Sequence, residues 1–214
     1  MTDIYRVACA AGFSGDRLGV AKPLVQELIR LKGPGCLIFE SLAERTLALA
    51  QLERRQNDQF GYEPLLAEMV APILSDCIRN NIPIVGNFGA ANPSAAAALI
   101  YRIAKEQGIA DIKIAIVEGD DIAGPQFSEV IQNSLSHEDQ TVLNKNTIVS
   151  ANVYLGAREI ADALSTGAQV VVTGRVADPA LTVGPLMAYF KKRDRKSTRL
   201  NSSHSQQSRM PSSA

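Results

Sequence analysis

The stretch Gln169-Val170-Val171-Val172-Thr173-Gly174-Arg175-Val176-Ala177-Asp178-Pro179 decides the fold class. Three consecutive valines, flanked by Gln169 and Thr173, read as a short strand without the polar/apolar alternation of a half-solvated sheet. Such a strand is buried on both faces. Gly174 breaks it, and Asp178-Pro179 reads as the N-cap and first residue of a helix. Strand, glycine-containing loop and helix start within eleven residues form the repeating unit of a parallel α/β sheet.

The same unit appears upstream. Strands are expected at Tyr5–Ala10, Cys36–Phe39, Pro83–Val85 and Ile112–Val117, each closed by a loop rich in Gly, Asn, Asp, Glu or Ser. Helices are expected between them. Leu18–Leu31 carries Ala21, Leu24, Val25 and Leu28 at spacings of three and four, the period of one helix face. Glu63–Asn80 repeats the pattern with Leu66, Met69, Val70, Ile73, Leu74, Cys77 and Ile78, and Pro72 kinks it or starts a second helix. Ser41–Arg54, Pro93–Lys105 and Leu155–Ser165 complete the set. Crossovers in such sheets are right-handed and cover both faces. The expected fold is therefore α/β: an open, mostly parallel sheet with helices on both faces, a Rossmann-like three-layer arrangement over residues 1–190. The stretch from Asp120 to Val149 is less regular, and Gly124-Pro125 followed by a polar run suggests a lid or short hairpin.

Composition excludes several classes. Apolar residues make up 46% and charged ones 21%, ordinary for a globular chain, and 22 basic residues balance 22 acidic ones. No net field recruits nucleic acid or an anionic membrane. No apolar run approaches the roughly 18 residues of a spanning helix, and Met1–Arg6 does not read as a secretory signal, so the expected location is cytoplasmic. Cys9, Cys36 and Cys77 are an odd set without CxxC spacing, which argues against a disulfide framework or a zinc site. Cys9, inside a strand, reads as a small core residue, and His137 as a surface histidine. From Lys191 the sequence is almost devoid of apolar residues and is expected to be a disordered, non-native tail. Asp194–His204, DRKSTRLNSSH, resembles a translated sequencing-library adapter, the alternative being a natural basic, serine-rich tail.

Open parallel sheets bind ligands outside the carboxyl ends of their strands, so the chemistry is sought in the loops that follow them. After the first strand, Gly12–Gly19 offers Gly15, Asp16 and Arg17, with glycine backbone and a guanidinium suited to an anion. After the third, Asn87 and Gly89 precede a helix start at Asn92-Pro93. After the fourth come Glu118, Asp120 and Asp121, a carboxylate set able to do acid–base work or to bind Mg²⁺ through carboxylates and waters. After the fifth, Thr173, Gly174, Arg175 and Asp178 place a hydroxyl, free N–H groups and a guanidinium together. Asn152, with Tyr154 nearby, joins the ligand-binding candidates. The catalytic candidates are Glu118, Asp120 and Asp121, and no Ser-His-Asp arrangement can be assembled.

Together the segments GFSGDRLG, VGNFGAANP, VEGDD, SANVYLGARE and VVTGRVADPAL, spread from Gly12 to Leu181, resemble the N-terminal domain of the acyclic terpene utilisation family. That resemblance implies a soluble catabolic protein of bacterial type, linked to breakdown of acyclic terpenes or branched acyl-CoA. Family proteins are longer, so the chain is expected to be incomplete at its C-terminal end. Two functions follow as expectations. One is a hydratase- or lyase-type enzyme acting on a CoA thioester or carboxylated intermediate, with Arg17 and Arg175 holding the anionic group. The other is a non-catalytic subunit that binds a metabolite, a partner or a second copy of itself, or an inactive truncated fragment.

Overall fold

The computed structural model describes residues 4–143 and 148–191. Five short strands form one parallel sheet: β1 (Arg6–Cys9), β2 (Gly35–Phe39), β3 (Ile84–Gly86), β4 (Ile114–Val117) and β5 (Val170–Thr173). Their spatial order is β1-β2-β3-β5-β4. The valine run is central, as its composition requires. Val170–Val172 pairs with Ile84–Gly86 on one side, and Val170–Thr173 with Ile114–Val117 on the other. Burying each such valine contributes about 1.5–3 kcal/mol relative to exposing it.

Helices cover both faces, and the alternation of strand side chains divides the core accordingly. Leu37, Phe39, Ile84, Val170 and Val172 face α1 (Ala21–Leu31), α3 (Leu66–Val70), α4 (Leu74–Arg79) and α5 (Pro93–Glu106). Cys36, Ile38, Val85, Val117 and Val171 face α8 (Ala157–Ser165) and a final helix, α9, over 180–191. α2 (Glu44–Gln56) packs through Leu47 and Ala50 on Ala90 and Ala91 above the carboxyl edge of the sheet.

The two-sided cover follows from direction of travel. β1 to β2, and β3 to β4, advance across the sheet, and the crossover helices α1 and α5 lie on one face. β4 to β5 runs backwards, because β5 inserts between β3 and β4. A right-handed crossover then places α8 on the opposite face. At the β3/β5 boundary one loop leads to α5 on one face and its neighbour to α9 on the other, which is the crevice where open α/β sheets take ligands.

Several boundaries differ from the sequence expectation. Pro72 does separate two short helices, α3 and α4. α2 begins at Glu44 rather than Ser41, its entry closed by Thr46, which accepts from Ala43 N–H at 2.9 Å. The stretch after Asp120 is helical and not a hairpin: a 3-10 turn at Pro125–Phe127, then α6 (Ser128–Ser134) and α7 (His137–Leu143). Ile148–Ser150 is irregular, and Thr147 lies outside the described residues. Cys9 is exposed, not core, because β1 is an edge strand, and its thiol donates to the Ala11 carbonyl at 3.0 Å. Lys191 ends α9, and the remainder of the expected tail, 192–214, lies outside the described residues.

Candidate active-site cleft

The β3/β5 crevice is closed by glycine. Gly89 N–H donates to Thr173 O at 3.1 Å, and a Cβ on Gly89 would sit 2.6 Å from that same oxygen. At Gly174 a Cβ would meet Asp120 Oδ1 at 2.7 Å, Asp120 Oδ2 at 2.8 Å and Ala90 O at 2.9 Å. Both glycines therefore exist to let loops of three strands touch, with protein atoms occupying the space that the sequence reading gave to a ligand.

Asp120 is the product of that contact. It is 5% exposed, and its Oδ2 accepts from Arg175 N–H at 2.8 Å and from Asn152 Nδ2 at 2.9 Å. Burial raises its carboxyl above the ordinary aspartate value, against the opposing pull of those two donors and of its own backbone N–H. The bonds from Arg175 N–H and Asn152 Nδ2 both fall on Oδ2. Asn152 arrives on a segment, 151–155, that runs antiparallel to the β4 loop: Ile122 N–H bonds Ala151 O and Val153 N–H bonds Asp120 O, both at 2.8 Å. The same segment then pairs with the β5 loop through Leu155 and Val176.

The three carboxylates of the β4 loop diverge. Glu118 is exposed and accepts from Ser94 Oγ at 2.9 Å. Asp121 turns to α2, where Gln51 Nε2 bonds its Oδ2 at 2.9 Å and Arg54 lies at 3.9 Å. Like charges adjacent in sequence are thereby kept apart by separate partners. Among the described residues no group of three His, Cys, Asp or Glu side chains is placed to hold a metal ion. An Mg²⁺ ion at this loop would take most of its ligands from water.

Glu118–Asp121 and Asn152 line an open cleft of about 550 Å³ together with Gln51, Arg54 and Arg55 of α2 and the start of α5. Gln51, Arg54 and Arg55 carry no strand-end signature and escape a search confined to strand-end loops. Their spacing of three and four was the available signal, since it sets them on one face of α2. Arg54 Nη1 bonds Ala91 O at 2.6 Å, and Arg55 Nη2 bonds Val149 O at 2.8 Å.

The other expected site residues lie elsewhere along the edge. Arg175 has a side chain only 3% exposed and does not line the cleft. Its guanidinium carbon sits 4.7 Å from the centroid of the Tyr154 ring, with Asp178 Oδ1 at 3.7 Å and Glu44 Oε1 at 3.8 Å. Thr173 is buried, its hydroxyl donating to Gly174 O at 3.0 Å. Asn87 is a buried hub that accepts from Ser41 N–H at 2.7 Å and donates to Glu40 at 3.2 Å. Asp16 closes its own loop, accepting from Gly12 N–H at 3.1 Å and Arg17 N–H at 2.7 Å, and these bonds hold its carboxyl below the usual range. Gly15 supplies the left-handed turn, φ 78°. Arg17 is exposed beyond β1, at the opposite edge of the sheet from β4. Four strand spacings of about 4.8 Å place those edges about 19 Å apart. The expected residues thus share one edge of the sheet but fall into separate groups, and Arg17 does not join Glu118.

A family profile described as acyclic terpene utilisation family protein AtuA matches residues 5–204. The chain belongs to that family. The matched span includes every strand and loop that builds the cleft. No curated protein matches the chain, and neither does any solved structure. Among the described residues no helix is long and apolar enough to cross a membrane.

Proposed function

We propose that this chain binds a carboxylated or CoA-thioester acyl intermediate of acyclic terpene breakdown in the cleft beside Asp120, and that Asp120 transfers a proton to or from it. Membership of the family supplies the metabolic setting. The observation that carries the chemistry is Asp120 itself: a buried carboxylate in the cleft lining, with a raised pKa and with Oδ2 fixed by two donors. A carboxyl tuned upward by burial changes protonation nearer working pH, as a general acid or base must. Hydration, dehydration and enolisation next to a thioester carbonyl all need such a group. Arg54 and Arg55, in the same lining, give an anionic substrate its counter-charge. A cleft of about 550 Å³ takes a short acyl chain with its carbonyl end.

The test is titration of the full chain with a branched acyl-CoA and with its free acid, for the parent and for Asp120→Asn. Binding is expected to stay within roughly threefold, while turnover falls by roughly 10²-fold or more. Absence of binding to either compound, or turnover unchanged in Asp120→Asn, would refute the reading.

A further inference from the structure

Arg175 keeps a chemistry that the fold leaves unfinished. Its side chain is almost fully buried, yet Nη2 has no hydrogen-bond partner. The nearest acids, Asp178 at 3.7 Å and Glu44 at 3.8 Å, are ion-pair neighbours beyond hydrogen-bond reach. A guanidinium offers five donors in a planar fork that matches a carboxylate, and burying one of them unpaired is unfavourable.

What covers Arg175 is surface material. The Tyr154 ring lies over the guanidinium and is 54% exposed, and the Glu44 side chain is 80% exposed. The Tyr154 hydroxyl donates to Glu44 Oε1, so the carboxylate nearest to Nη2 is held by the tyrosine and not by the arginine. That bond keeps the Glu44 carboxyl below its usual range, helped by the charge on Arg175. Cover and counter-ion come from separate segments, the start of α2 and the 151–155 segment, joined across Arg175 by this one side-chain bond.

We propose that Arg175 is the receptor for a monocarboxylate ligand, and that the Tyr154–Glu44 pair is the latch that closes it. Opening the latch moves the ring aside and lets a ligand carboxylate take the place of Glu44, donating nothing and accepting from Nη2. Charge selects the class. Arg175 already faces two carboxylates, so exchanging Glu44 for another monoanion leaves the local charge unchanged, whereas a phosphate dianion makes it more negative by one. The guanidinium is not among the cleft walls, and only the backbone N–H of Arg175 reaches Asp120. This site therefore stands or falls separately from the proton transfer assigned to Asp120.

The experiment is calorimetric titration of the full chain with butyrate and, separately, with inorganic phosphate, for the parent, Tyr154→Phe, Glu44→Ala and Arg175→Lys. Removing the latch is expected to tighten butyrate binding by about fivefold in Tyr154→Phe and in Glu44→Ala, the scale of one partly exposed hydrogen bond. Arg175→Lys, which loses the planar fork, is expected to weaken it by roughly tenfold or more. Equal butyrate affinity in the parent and both latch variants overturns the proposal, as does phosphate binding more tightly than butyrate. Should Arg175→Lys fold poorly, phenylglyoxal labelling of Arg175, read by peptide mass spectrometry, replaces it. Labelling is expected to be faster in Tyr154→Phe than in the parent and to be slowed by butyrate, and a rate insensitive to butyrate refutes the receptor.

Discussion

Replacing Gly174 by alanine tests the contact on which the cleft is built. The added methyl would stand 2.7 and 2.8 Å from the two oxygens of Asp120 and 2.9 Å from Ala90 O. The carbonyl belongs to backbone and yields little, so the carboxylate must move. Moving it breaks the bonds from Arg175 N–H and Asn152 Nδ2. Hydrogen bonds to a charged acceptor contribute about 1.5–3 kcal/mol each, a loss of about 3–6 kcal/mol if both go. Two effects offset it: Asp120 regains hydration as it leaves its buried seat, and alanine stabilises by about 0.4–1 kcal/mol through the unfolded chain. The net expectation is a loss of about 2–4 kcal/mol, or a fall in melting temperature of roughly 5–15 °C for a domain of this size. Thermal unfolding followed by circular dichroism measures it. Gly19→Ala is the control, since nothing lies within 4 Å of a Cβ there, and its effect should stay within about 0.5 kcal/mol. Combining Gly174→Ala with Asp120→Ala should give a coupling of about 1 kcal/mol or more, because the second change removes the atoms that the first displaces. A Gly174→Ala protein melting within about 2 °C of the parent would refute the reasoning.

Asp120 should also write a pH signature on stability. Its folded pKa lies above the unfolded one because burial disfavours the anion, so the folded state binds the proton more tightly. The associated stability is complete below the unfolded value of about 3.9 and is lost as pH rises through the folded value. Asp120→Asn removes this slope, and urea midpoints of parent and variant that run parallel from roughly pH 3 to pH 7 would contradict it. Thiol labelling under native conditions should modify Cys9 alone among the three cysteines, because Cys36 and Cys77 are buried and their thiols are pushed up to about 12. Modification of three thiols at similar rates in the folded chain would count against that core.

The sheet was legible because its central strand carries its own evidence. Val170-Val171-Val172 can be satisfied only by burial on both faces, and the Leu66-to-Ile78 spacing can be satisfied only by a helix against that core. What composition does not encode is strand order. Nothing local to Ile114–Val117 says that it is an edge, or that β5 slips between it and β3, and that insertion decides which loops meet. For the same reason Cys9 looked like core: a small apolar residue in a strand is buried only if a neighbour covers it. The three β4-loop carboxylates were visible as candidates, but their division among Ser94, Arg175 with Asn152, and Gln51 depends on segments as distant as α2. Tyr154 was visible only as a neighbour of Asn152, and its place over Arg175 arises from pairing between 151–155 and the β5 loop.

That pairing links the two proposed sites through one physical cause. The register Val117↔Thr173 sets the ends of β4 and β5 level, so the third residue beyond β4 meets the second beyond β5. Asp120 therefore receives the N–H of Arg175 at 2.8 Å, and the guanidinium of the same residue is directed away from the cleft, under Tyr154. The 151–155 segment touches both: Asn152 holds Asp120, and Tyr154, two residues on, covers Arg175. In an extended stretch, residues two apart lie on the same side. One short strand-like segment thus supplies a partner to the Asp120 carboxylate and a cover to the Arg175 guanidinium, while each site keeps its own chemistry.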